Sequence, residues 1–123
     1  MSGVPGSPSE ARTVERALPV DTVFGLLSDG RRRRVLTYLD RHEPRIEVGR
    51  LAERLTEGRD GATPEAVAIA LHHVHLPKLD AAGVVSYDAA ARTVEREPAA
   101  DQLRPYLLLA RADERGDVGT GGR

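Results

Sequence analysis

The sequence contains no cysteine and no tryptophan. Disulfides, thiolate nucleophiles and cysteine-based zinc sites are therefore excluded. Aromatics are scarce, with one Phe and three Tyr. The core must be aliphatic, and little is left to stack on single-stranded bases. No run approaches the roughly 20 apolar residues that a membrane helix needs, and no apolar run follows the start, so neither a membrane span nor a signal peptide is expected. A cytoplasmic protein is the expectation. The formal net charge is only −1, so the chain as a whole is not a basic nucleic-acid binder. Catalytic constellations are missing too: no Gly-rich phosphate loop, no His-Glu-x-x-His pair and no nucleophile elbow. Neither enzymatic activity nor a cofactor is expected.

What is present fits one domain: the chain has 123 residues. Residues 1–17 are rich in Gly, Pro and Ser, and residues 113–123 are charged and Gly-rich. Such segments cannot bury enough apolar surface to offset their ordering entropy, so both are expected to be disordered tails around a domain at 18–112. Charge is unevenly spread. Residues 31–59 carry nine Arg against five acids, whereas residues 60–97 carry three cations against six acids. The first stretch suits phosphate better than the second.

Apolar spacing and capping chemistry divide the domain. Pro19 opens a first helix with Val20, Val23, Phe24 and Leu27 at helical spacing. Ser28-Asp29-Gly30 ends it and caps a second helix over about 31–40, with Val35, Leu36 and Leu39 inward. Arg45-Ile46-Glu47 is a short extended segment. A third helix over 48–57 turns Val48, Leu51, Ala52 and Leu55 inward. Thr63-Pro64-Glu65 combines a capping hydroxyl, a first-turn proline and an acid, and so starts a fourth helix that Gly83 ends. Residues 84–87 and 92–95 read as two strands of a hairpin. A leucine-rich last helix covers about 101–112. The predicted fold is mainly α with a small β-hairpin, in the order of a winged helix-turn-helix.

Specific segments carry a family likeness. Leu27-Ser28-Asp29-Gly30-Arg31-Arg32-Arg33-Arg34-Val35-Leu36 resembles the second-helix signature of ArsR-like winged-helix repressors. Val48-Gly49-Arg50-Leu51-Ala52-Glu53-Arg54-Leu55 is similar to their first helix-turn-helix helix. His75-Leu76-Pro77-Lys78-Leu79-Asp80-Ala81-Ala82-Gly83-Val84-Val85 is similar to the end of their recognition helix running into the wing. The stretch 20–106, about three quarters of the chain, more closely resembles small haloarchaeal winged-helix domains of unassigned function, whose hallmark is that last segment. The resemblance implies that Arg32 and Arg34 tie the second helix to its neighbours. Two features depart from the ArsR-like pattern: the loop 58–62 is longer, and no metal-binding cysteine motif is present, so thiolate sensing is not implied.

Candidate contacts follow. Arg50 and Arg54, four apart on the outer face of the third helix, could bind DNA phosphate, or could form weak ion pairs with Glu47, Glu53 and Glu57. The fourth helix offers His73 and Lys78 for contact, but its other positions are largely Ala, Val, Ile and Leu, poor groups for base reading. Ile69, His72, Leu76 and Leu79 form one apolar-rich stripe and Val67, Leu71 and Val74 another, so burial on two sides is expected. The histidines at 72, 73 and 75 invite a metal reading. No further ligand spacing accompanies them, and core or surface roles are commoner, so no metal site is assigned. Pro77 removes the N–H that would bond the His73 carbonyl and should kink or break the helix. Arg92, at the turn end of the hairpin, is a further candidate for DNA contact. Leu103, Tyr106 and Leu107 of the last helix, with one of Leu108 and Leu109, are expected to form a homodimer interface. The expected function is a transcriptional regulator that binds duplex DNA as a homodimer. A winged-helix module that binds a protein partner and no DNA is the alternative.

Overall fold

In the computed structural model, residues 17–114 can be described, with side chains to residue 110. The expected tails, 1–17 and 113–123, lie almost wholly outside these residues. The order is α1 (Val20–Leu27), α2 (Gly30–Arg41), β1 (Arg45–Glu47), α3 (Val48–Thr56), α4 (Pro64–Ala70), a π-helical turn (Leu71–His75), α5 (Leu76–Ala81), β2 (Val85–Asp88), β3 (Thr93–Arg96), a 3-10 helix (Pro98–Leu103) and α6 (Arg104–Glu114).

Local chemistry sets most boundaries. The Asp29 carboxylate accepts from the Arg31 backbone N–H at 2.7 Å and starts α2. Glu47 does the same for α3 through the Arg50 N–H at 3.1 Å. Thr63 caps α4 through the Ala66 N–H at 3.2 Å, with Pro64 in the first turn. Gly83 closes α5 in the left-handed region, φ 80°, where it donates to the Asp80 carbonyl and the Val84 N–H reaches back to Leu79.

The fourth predicted helix is continuous but not uniform. Just before Pro77 it widens into the π turn, in which the Leu76 N–H bonds the Leu71 carbonyl. A proline ring collides with the carbonyl four residues back, and widening the turn relieves that collision without ending the helix. The extra residue changes which side chains face inward. Val67, Leu71, His75, Leu76 and Leu79 are buried, whereas Ile69 and Val74 are exposed. Neither of the two predicted stripes survives intact.

The expected two-stranded hairpin is part of a three-stranded antiparallel sheet of order β1-β3-β2. Arg45-Ile46-Glu47 pairs with β3, Ile46 opposite Val94, while Tyr87 of β2 lies opposite Val94 on the other side. The core is aliphatic, as composition requires, with Leu36, Leu39, Leu51, Leu71, Leu76, Leu79 and Leu103 at its centre. On α1 the inward residues are Val23 and Leu26, and Val20 and Phe24 face outward. The fold is mainly helical with a small antiparallel sheet, arranged as a winged helix: α3 and α4–α5 form the helix-turn-helix, and β2–β3 the wing.

Candidate nucleic-acid interface

The arginine run at 31–34 is built into the frame. Arg32 is buried at the start of α2. Its Nε donates to the Leu26 carbonyl at 2.8 Å and one terminal nitrogen to Gly25 at 3.0 Å, while the other lies 3.2 Å from His75 Nδ1. One guanidinium thus joins the last turn of α1, the start of α2 and the π turn. Because Arg32 can only donate, Nδ1 of His75 accepts, and the ring is neutral. Burial accordingly pushes the His75 pKa below its ordinary value, against the pull of Asp29 and with the help of Arg32 and Arg31. Arg33 also donates to a carbonyl of the same turn, that of Leu27.

The predicted contact residues separate into three places. Arg50 and Arg54 are exposed on α3, but each stands beside an acid: Arg50 lies 3.8 Å from Glu43, and Arg54 lies 2.9 Å from Glu57. Arg54 shares a shallow polar groove with Tyr38, Arg41, His42, Glu43 and Glu57. Lys78 lines a different groove, against α1, with Asp21, Thr22 and Gly25.

The third place is where the π turn meets the wing, with His73 on the helix side and Arg92 on the wing side of the His72–Tyr87 pair. The His73 ring stands edge-on to that of His72, with centroids 4.6 Å apart. Nδ1 of His72 is 2.5 Å from the Tyr87 hydroxyl, a hydrogen bond that ties the helix to β2. The charge of Arg92 acts on both His72 and Tyr87. Burial, then Arg92 and His73, hold the His72 pKa below its ordinary value.

The wing turn that carries Arg92 is closed by Asp88, whose carboxylate accepts from the Ala91 N–H at 3.0 Å. Arg92 has φ 57°, and its carbonyl accepts from the Val48 N–H at 2.9 Å, the first amide of α3. A non-glycine residue in the left-handed region is held there by its surroundings. The anchor therefore fixes the base of the Arg92 side chain relative to the helix-turn-helix.

Sequence reasoning missed His72 and Tyr87 as members of this group. The available signal was the strand alternation, which puts Tyr87 on the same face as Val85, beside the helix. Among the described residues no group of three His, Asp or Glu side chains could hold a metal ion. Nor is any helix among them long and apolar enough to cross a membrane.

The last helix docks on its own domain. Leu103 and Leu107, predicted at a dimer interface, are buried in the core. An ion-pair network borders them: Arg104 binds both oxygens of Asp40, at 2.6 and 3.2 Å, and Arg96 reaches Asp101 at 2.6 Å. The Arg104 hydrogen bond keeps the Asp40 carboxyl below the usual carboxylate range. Tyr106 is partly exposed and packs edge-on against Phe24 at 6.4 Å, with Leu108 and Leu109 also outward.

These elements define a winged helix-turn-helix domain. Residues 24–95, more than half of the chain, match the family described as a domain of unknown function, DUF7344, and the chain belongs to that family. No curated protein and no solved structure matches it.

Proposed function

We propose that this chain is a cytoplasmic, non-enzymatic transcriptional regulator that binds duplex DNA as a homodimer, related to ArsR-like regulators and to small haloarchaeal winged-helix domains. The observation that carries the reading is the His72–Tyr87 hydrogen bond, which joins the helix to the wing, with exposed His73 stacked edge-on against His72 and the charge of Arg92 acting on both members of the pair. A recognition helix in a major groove brings such neighbours to the flanking phosphates. Arg50 and Arg54 add phosphate contacts only by leaving Glu43 and Glu57, so they rank below Arg92. The exposed faces of α1 and α6 adjoin at Phe24 and Tyr106 and supply the apolar surface for a second copy.

One observation favours the protein-binding alternative: Ile69 and Val74 are exposed on the recognition helix. Apolar side chains read only thymine methyl groups. Binding to a genomic fragment library over a range of salt concentrations separates the two readings. A regulator selects a subset of fragments. Uniform binding, or none, overturns the regulator and leaves the protein-binding module.

A further inference from the structure

We propose that His72, Tyr87 and Arg92 form a phosphate-contact site for duplex DNA that takes up one proton as it binds. The inference rests on the DNA reading above and specifies the chemistry of its central contact.

The site bridges two elements, the π turn and the wing. His72 Nδ1 and the Tyr87 hydroxyl are 2.5 Å apart, so a single hydrogen joins them. In the Nε2–H tautomer of the neutral ring, which the proposal assigns, the Tyr87 O–H donates to Nδ1. A proton taken from solvent at Nδ1 reverses the bond. Nδ1–H then donates to the Tyr87 oxygen, and the hydroxyl hydrogen is released to turn outward. The pair gains one positive charge and one outward donor, and the contact between helix and wing is kept. A phosphate oxygen is an acceptor for both Nε2–H and the released O–H, and Arg92, whose charge acts on both residues, supplies a permanent positive charge.

The groups facing His72 set the direction of the linkage. They are His73 on its own helix, Tyr87 on β2 and Arg92 at the wing turn, with Asp88 acting on Tyr87. In the free protein, burial, then Arg92 and His73, disfavour the charged ring. A phosphate offsets Arg92 and His73 and favours it. Affinity must then rise as pH falls.

The test is an NMR titration of the His72 ring in the full chain at fixed salt, alone and with a duplex oligonucleotide. The expected result is a higher His72 pKa in the complex. Log affinity should fall with pH at a slope of about −1 between the two pKa values, or about tenfold per unit. His72→Gln should abolish that slope. Tyr87→Phe should keep the slope but weaken binding on the acid side, where the released hydroxyl acts. Melting curves check that both variants are folded. Duplex binding with an unchanged His72 pKa overturns the inference and leaves the DNA reading standing. No duplex binding at any pH removes both. An equal rise with inorganic phosphate at the same phosphate concentration overturns the assignment to duplex DNA.

Discussion

Replacing Arg32 by methionine tests whether the arginine run is framework or binding surface. Methionine keeps the length and apolar stem of the side chain but has no donors. It removes two hydrogen bonds to the Leu26 and Gly25 carbonyls and the contact with His75 Nδ1. Hydrogen bonds from a charged group contribute about 1.5–3 kcal/mol each. Water reaching the end of α1 recovers part of this, and the charge no longer has to be desolvated. A loss on the order of 2–4 kcal/mol remains, which is a fall in Tm of about 10–25 °C for a domain of this size. Arg32→Lys should recover less than half, because an ammonium cannot span all three acceptors. Removing the guanidinium also removes a charge that disfavours protonation of His75. The His75 pKa should therefore rise in Arg32→Met, a shift that NMR titration reads directly. Urea unfolding of the wild type and both variants at pH 7.5 provides the energies. If Arg32→Met stays within about 0.5 kcal/mol of wild type, as an ordinary surface substitution does, the framework argument is wrong.

Three further outcomes follow from single residues. The folded-state pKa of His75 is depressed by burial, so its contribution to stability is complete above the unfolded value of about 6.5 and is lost as pH falls through that value toward the folded one. The urea midpoint should therefore drop between pH 7.5 and pH 5. His75→Gln should flatten this drop, leaving the part that His72 adds in the same sense. Gly83→Ala places a Cβ in open space at φ 80°, so only backbone strain opposes it, and thermal melting should show a loss of about 1 kcal/mol. Arg92→Gly removes strain on the order of 1 kcal/mol at φ 57°, offset by the greater freedom of glycine in the unfolded chain. Its Tm should hold or rise slightly, while the slope of log DNA affinity against log salt flattens by about 0.9; an unchanged slope would show that Arg92 touches no phosphate.

The features legible in the sequence are those decided within a few residues. Asp29, Thr63-Pro64 and Gly83 each act on backbone groups at most five positions away, and each ended or began a helix where expected. The features that escaped depend on distant partners. Arg45-Ile46-Glu47 read correctly as a short strand, but three residues do not show which strand it pairs with, and its place beside β3 was missed. The stripes on the fourth helix failed because a fixed period cannot register the residue inserted by the π turn, although Pro77 marked the place. On α6, the heavy leucine content disguised which leucines face inward. That choice is made by packing against the distant core, with Arg104 and Asp40, 64 positions apart, pairing at its edge. At the site, His73 and Arg92 stood out as polar residues at a helix surface and a turn. Their meeting with His72 and Tyr87 required the sheet to be laid against the helix.

Two backbone bonds at the ends of the β1–β3 ladder help it close the chain around the helix-turn-helix: the Val48 N–H to the Arg92 carbonyl at 2.9 Å, and the Arg96 N–H to the Pro44 carbonyl at 2.7 Å. Both helices of the motif, their loop and the wing lie on the span between those anchors. The span is therefore a clasped ring of chain, and its fastening lies far apart in sequence. The helices α4–α5 and the wing consequently gain or lose their order together. The Val48 and Arg96 amides should exchange with deuterium only when the whole domain opens, and at the same rate as each other.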